Sequence, residues 1–130
     1  MTAPGFDAEL LGRVEDAVRP GEVINTLGIA RPNRVVSIDR DGVLVETERS
    51  IDKGTGPQLV PAWMIATAWQ HLRLHGRLSN QALLNDLNVK RSAFVCALLS
   101  HFTEVEIESL RPIVLRLKAA ERPMEDVEYE

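Results

Sequence analysis

The sequence predicts an α+β fold in which an N-terminal helix and a β-hairpin are followed by a winged helix-turn-helix. Three patterns support this: an amphipathic start, a central Asp-Gly step between β-branched segments, and a later helix–turn–helix followed by two alternating segments. A chain of 130 residues with 45% hydrophobic content can bury one modest core. We therefore expect one domain over residues 1–118, with a hairpin and loop at 22–59 and a winged helix at 60–118.

The first half of the chain predicts one helix and one hairpin. Apolar residues recur at helical spacing over residues 6–18, until a Pro-Gly step ends the pattern. The Asp-Gly step at 41–42 lies between strand-like segments at 34–39 and 43–48, which is a strong hairpin signal. Residues 49–57 contain glycines and a proline, so we expect a loop there.

The second half has the element order of a winged helix. A helix opens at Val60-Pro61, where proline is favoured in the first turn, and a second helix is capped by Ser79. A third helix begins after the period breaks at Asn88-Val89. Alternating segments at 105–107 and 113–117 then predict a two-stranded ribbon. The second and third helices together predict a helix-turn-helix DNA reader.

The start of the third predicted helix is basic. Cations at a helix N-terminus are unfavourable for the isolated helix, so Lys90 and Arg91 in the first turn favour a polyanionic partner. With Ser92, they are expected to approach the major groove of DNA, where arginine can pair with guanine. The predicted partner is double-stranded DNA.

Small and amide side chains extend this candidate surface. The small residues Ala93, Cys96 and Ala97 would let the third helix lie close to base edges, although close packing against another helix explains them equally well. Asn80 and Gln81 begin the preceding helix, where side-chain amides and free N–H groups commonly bind phosphate. Local helix capping explains these two nearly as well.

Further cations lie outside the helix-turn-helix. Arg49 and Lys53 in the predicted loop, with Arg31 and Arg34, form a second basic set that could follow a DNA backbone, or belong to a solvated loop. Arg111 is expected at the tip of the wing.

Charge is unevenly distributed along the chain. The formal net charge is −4, but residues 31–103 hold nine bases against six acids. A phosphate backbone responds to the local field over a Debye length of about 8 Å, so the overall sign does not exclude DNA. Residues 119–130 are acidic and predict a disordered tail that could compete with DNA.

Enzymatic and membrane classes have little support in the sequence. A single cysteine excludes an internal disulfide framework, and His71 and His75, four apart, have no evident further metal ligand. There is no phosphate-cradling glycine motif with a lysine, no secretory signal, and no apolar run of about 18 residues. We expect a non-enzymatic protein without cofactor, in the cytoplasm and associated with the nucleoid.

Three short motifs carry a resemblance to a known group of proteins. They are VLVETERS at 43–50, VPAW at 60–63 and KRSAFVCALL at 90–99. Over residues 22–118 the chain resembles small actinobacterial proteins and domains linked to modification-dependent restriction. The resemblance implies a winged-helix-like reader of duplex DNA containing modified (methylated) cytosine, without a nuclease domain. The residues it carries over are Arg49, Ser50, Lys90, Arg91 and Ser92.

The alternative prediction is a protein-interaction winged helix, such as an adaptor or an antitoxin-like regulator. In that case the same helices would pack on a protein partner. Apolar exposure on the third predicted helix and a lack of salt-dependent DNA retention would favour it. An enzyme is the least favoured class.

Overall fold

The computed structural model describes residues 5–118, which form an α+β protein as predicted. The helices of that range are α1 (Ala8–Ala17), α2 (Glu48–Lys53), α3 (Ala62–His75), α4 (Asn80–Asn85) and α5 (Ser92–Leu99). Its strands are β1 (Val23–Asn25), β2 (Pro32–Asp39), β3 (Gly42–Thr47), β4 (Gln58–Pro61), β5 (Arg77–Ser79), β6 (Val105–Leu110) and β7 (Ile113–Leu117). Within residues 5–118, no helix has the length and apolar character needed to cross a membrane.

The first half folds into a four-stranded antiparallel sheet in the order β1-β2-β3-β4. The predicted hairpin is confirmed, with Asp39 opposite Gly42 in the register of β2 and β3. Gly42 has a φ of +147°, and a Cβ there would collide with the Val60 carbonyl oxygen on β4. Only glycine fits this turn, because both its backbone conformation and its neighbour exclude a side chain.

The second half combines α3, α4 and α5 with a three-stranded sheet in the order β5-β7-β6. From α3 to β7 the elements run helix, strand, helix, helix, strand, strand. This contains the predicted three helices and ribbon, together with the short strand β5, which the sequence analysis did not predict. Leu78 in β5 lies opposite Leu115 in β7, so β5 adds a third strand to the ribbon.

One hydrophobic core joins the two halves. It contains Leu10 and Val14 from α1, Val35 and Val45 from the four-stranded sheet, and Leu72 from α3. The centre of this core is α5, whose six residues from Phe94 to Leu99 are all buried. A helix that is apolar on every side is stable only inside a protein, so α5 organises the packing of both halves.

Two element predictions were wrong. Residues 49–57 were expected to be a loop, but Glu48–Lys53 forms α2, which ends at Gly54 in the left-handed conformation with a φ of 65°. Val60-Pro61 was expected to open a helix, but both residues pair with β3 as part of β4, and α3 begins at Ala62. The predicted acidic tail at 119–130 lies outside the described residues.

Candidate nucleic-acid interface

The turn between α4 and α5 positions the predicted cations. Asn88 adopts a left-handed conformation with a φ of 57°, which asparagine tolerates better than most residues. The Val89 N–H then donates to the Leu83 carbonyl at 3.0 Å, and the Val89 side chain is buried. Lys90 and Arg91 were expected in the first turn of the helix, but they lie in the turn directly before α5.

Lys90 and Arg91 are accessible, and within the described part of the chain they have no counterion. Lys90 is exposed and Arg91 is half-buried. Among residues 5–118, neither has a carboxylate oxygen within 4.0 Å. Burial lowers the pKa of Arg91, although a guanidinium stays charged at neutral pH. A partly desolvated cation without an internal anion is stabilised when an external anion binds.

A groove of about 320 Å³ collects most of the predicted cations, and we call it the basic groove. It lies where the first sheet and the start of α2 approach the start of α5. Its lining includes Arg31, Arg49, Lys90 and Arg91, and within the described chain Glu48 is the one carboxylate-bearing residue that lines it. The remaining lining residues are Thr26, Pro32, Asn33, Thr47, Leu84, Ser92, Ala93 and Phe94.

A second groove of about 600 Å³, the apolar groove, adjoins the first. It is lined by the loop between β1 and β2, the starts of α4 and α5, and the turn between β6 and β7. Thr26, Arg31 and Ala93 line both grooves, so the two form one continuous surface. The other lining residues of the apolar groove are Leu27, Gly28, Ile29, Asn80, Gln81, Leu110, Arg111, Pro112 and Ile113.

The structure therefore brings together eight of the ten predicted contact residues. Arg49, Lys90, Arg91, Ser92 and Ala93 line the basic groove, and Asn80, Gln81, Ala93 and Arg111 line the apolar groove. Ser50 and Lys53 line neither groove. Lys53 is exposed at the end of α2.

Two predicted hydroxyl contacts need correction. Ser50 is buried, and its hydroxyl accepts from the Thr47 N–H and donates to the Thr47 carbonyl, both at 2.9 Å. Ser50 therefore caps α2 and is not available to DNA. Ser92 is also buried, at the first position of α5. Its side chain therefore cannot approach the major groove as expected.

The small residues of α5 are mostly packing residues. Cys96 and Ala97 are fully buried, so the alternative explanation of close helix packing holds for both. Burial raises the pKa of the Cys96 thiol to about 12, which keeps it protonated and unreactive. The thiol lies 3.8 Å from Asn80 Oδ1 and ties the start of α4 to α5. Ala93 alone on α5 is exposed.

The segment 26–31, which we call the tip loop, was not predicted as part of the site except for Arg31. Its Thr26 N–H donates to the Arg31 carbonyl, and the Arg31 N–H donates back to Thr26 Oγ1, both at 3.0 Å. The Thr26 hydroxyl also donates to the Ile29 carbonyl. Thr26, Gly28 and the following Pro32 are turn-forming residues, so the sequence does contain a turn signal here, although it is a short one.

The histidine pair does not form a metal centre with neighbouring ligands. The rings of His71 and His75 are 4.4 Å apart. Burial lowers the pKa of His71, the charge of His75 lowers it further, and Asp86 acts in the opposite direction. Within residues 5–118, no three His, Cys, Asp or Glu side chains are grouped so that they could hold a metal ion.

Comparison with known proteins identifies no relative: no protein-family model, no curated protein and no solved structure matches this chain. The resemblance to restriction-linked modules therefore stays a prediction from three short motifs. The chemistry of the two grooves is the basis for inferring a function.

Proposed function

We propose that this protein is a non-enzymatic DNA-binding protein that contacts duplex DNA through the basic groove and the start of α5. One observation carries the proposal: Arg31, Arg49, Lys90 and Arg91 converge on one groove. Among residues 5–118, none of these four has a carboxylate oxygen within 4.0 Å. Duplex DNA is a dense line of phosphates, and unpaired cations on one surface suit it.

Several cations outside the grooves, unlike the groove cations, are neutralised by ion pairs. Four arginines away from the grooves, namely Arg13, Arg73, Arg77 and Arg116, each pair with a glutamate. Arg111, on the apolar groove, has no such partner among the described residues. Internal ion pairs thus neutralise these four arginines. Arg34, Arg40 and Lys53 also have no carboxylate partner among residues 5–118, but they line neither groove. What distinguishes the groove cations is therefore that they converge on one surface, which can attract phosphate despite the net charge of −4.

The proposed readout includes the methyl group of modified cytosine. The methyl of 5-methylcytosine occupies the same place in the major groove as that of thymine, which alanine side chains contact. Ala93 is exposed, and it lines both the basic groove and the apolar groove. A methyl reader needs a small apolar contact beside a phosphate clamp, and this surface offers both. This supports the preference that the sequence resemblance implies.

The alternative of a protein-interaction winged helix has less support. It would be favoured by apolar exposure on α5, but Phe94 through Leu99 are buried. The winged-helix assignment itself is part of our proposal and rests on the element order from α3 to β7. A DNA reader of this kind would act at the nucleoid.

The test is a binding series by fluorescence anisotropy at several salt concentrations. Three probes of one sequence are compared: methylated duplex, unmethylated duplex and single strand. Wild-type protein is expected to prefer the methylated duplex. Lys90→Ala and Arg91→Ala are each expected to weaken binding and to reduce the slope of log K against log salt by about 0.9 per lost phosphate contact.

Arg40→Ala is the matched control. Arg40 is an exposed arginine at the hairpin turn, at the opposite end of β2 and β3 from the groove residues Pro32 and Thr47. The same charge is removed there, but the salt slope is expected to stay unchanged. Equal affinity for methylated and unmethylated duplexes would remove the modification preference alone. No salt-dependent binding to any probe would overturn the whole proposal and favour a protein partner.

A further inference from the structure

A large apolar side chain of the tip loop is exposed to solvent. Ile29 is 69% exposed, although it belongs to a segment fixed by hydrogen bonds between Thr26 and Arg31. Exposing a large aliphatic side chain on a rigid loop has no benefit for folding, because its burial would stabilise the protein. A single exposed aliphatic side chain is normal on a protein surface, so the significance of Ile29 depends on what lies beside it.

The tip loop touches the turn between β6 and β7. A methyl group built on Gly28 would lie 3.7 Å from both the Leu110 carbonyl oxygen and Ile113 Cδ1, so the loop and this turn are in close contact. Leu110 is itself 48% exposed. Ile29 and Leu110 thus belong to one apolar surface that two separate turns build.

Two cations line the same groove as this apolar surface. Arg31 follows Ile29 in the tip loop, and Arg111 follows Leu110 in the other turn. Both arginines are exposed, and among residues 5–118 neither pairs with a carboxylate. Charge complementarity therefore favours a polyanion over a neutral or basic protein surface.

We propose that Ile29 is an apolar wedge that enters the base stack of the bound duplex and bends it, while Arg31 and Arg111 hold the phosphates on either side. This inference rests on the proposed function and goes beyond it, because it assigns a deformation to the complex. Proteins that bind the minor groove commonly insert Ile, Leu, Phe, Met or Pro between base steps and kink the duplex by roughly 20–90°, so the wedge would enter from the minor groove, beside the major-groove contact of α5.

The wedge predicts a measurable bend. The end-to-end distance of a short duplex labelled at both ends is measured by energy transfer, and 2-aminopurine placed along the site reports unstacking. Wild-type protein is expected to shorten the distance and to raise 2-aminopurine fluorescence at one step. Ile29→Ala is expected to abolish both signals and weaken binding several-fold, while its thermal unfolding stays that of the wild type because Ile29 is exposed.

Two further variants keep the test decisive. Ile29→Met retains an apolar wedge and is expected to restore bending. Leu74→Ala removes a side chain of similar size that is 79% exposed on α3, outside both grooves, and is expected to leave the bend unchanged.

The outcomes separate this inference from the proposed function. Tight, salt-dependent binding of an unbent duplex would overturn the wedge and leave DNA binding intact. A lack of DNA binding would overturn both. If sedimentation shows that wild-type protein is a dimer and Ile29→Ala a monomer, with identical DNA bending, the apolar surface serves a second copy of the chain and the wedge is overturned.

Discussion

The guanidinium of Arg13 on α1 pairs with the carboxylate of Glu104, which directly precedes β6. Both side chains are largely buried, with 27% and 17% of their surface exposed. The same guanidinium lies over the indole of Trp69, with Cζ 5.0 Å from the ring centroid. The side chain of Arg13 therefore ties the N-terminal helix to both α3 and the segment that leads into the three-stranded sheet. No local sequence motif signals this connection between the two halves.

We expect Glu104→Gln to destabilise the protein. It removes the carboxylate charge beside the partly buried Arg13 guanidinium, which among residues 5–118 keeps only a 3.4 Å pair with Glu9 on its own helix. Arg13 Nε already has no hydrogen-bond partner within the described chain. Loss of a hydrogen-bonded charge partner typically costs about 1–3 kcal/mol. The free energy of unfolding in urea measures the effect.

The exposed pair of Arg73 with Glu9 provides the control for that measurement. Its atoms are 3.7 Å apart and its side chains are 54% and 62% exposed. Arg73→Ala is expected to change stability by no more than about 0.5 kcal/mol, because solvent screens such pairs. If both substitutions have the same effect, the Arg13 pair does not hold α1 in place.

Glycine substitutions test the hairpin geometry. Gly42→Ala is expected to cost about 2 kcal/mol or more, because its φ of +147° is strained for alanine and the new Cβ would meet the backbone of β4. Gly12→Ala on α1 is the matched control, since a Cβ there meets nothing within 4 Å. Alanine favours a helix over glycine, so Gly12→Ala is expected to stabilise by about 0.5–1 kcal/mol. Thermal and urea unfolding measure both the expected loss of stability in Gly42→Ala and the expected gain in Gly12→Ala. Equal changes in the two variants would contradict the geometry of the turn.

The cap of α2 can be separated from DNA contact by one substitution. Ser50→Ala removes the hydroxyl that bonds the Thr47 backbone and is expected to cost about 0.5–2 kcal/mol of stability. Because Ser50 is buried, the salt slope of DNA binding is expected to stay at the wild-type value. A reduced slope in a fully folded variant would restore Ser50 as a phosphate contact.

Local signals explain which elements the sequence predicted. The Asp-Gly step fixed the hairpin, and the break at Asn88-Val89 marked the turn before α5. The helix α2 was missed because the reciprocal cap uses Ser50 where Glu or Gln is the usual third residue. Pro61 was assigned to a helix because proline favours the first turn, but pairing of β4 with β3 decided its conformation.

The site was less predictable than the fold because it depends on long-range packing. The cations at the start of α5 could be identified from their order along the chain. Their meeting with Arg31 and Arg49 required the first sheet to pack beside α5, which no local pattern encodes. Burial of Ser92 and Cys96 has the same origin, since every residue of α5 except Ala93 is buried in the folded protein.

The pH dependence of stability follows from His71. Burial and the neighbouring His75 lower its pKa in the folded protein, so the unfolded chain binds a proton more tightly. The titration of His71 therefore has no effect on stability well above the ordinary histidine pKa of about 6.5. As the pH drops through that value toward the lower pKa of His71 in the folded protein, stability falls. In urea unfolding at pH 7.5 and pH 5, His71→Gln is expected to lose less stability on acidification than wild-type protein.

By NMR titration, His75→Gln is expected to raise the pKa of His71 and Asp86→Asn to lower it, because the two neighbours act with opposite signs. If neither substitution shifts the pKa of His71, burial alone sets it.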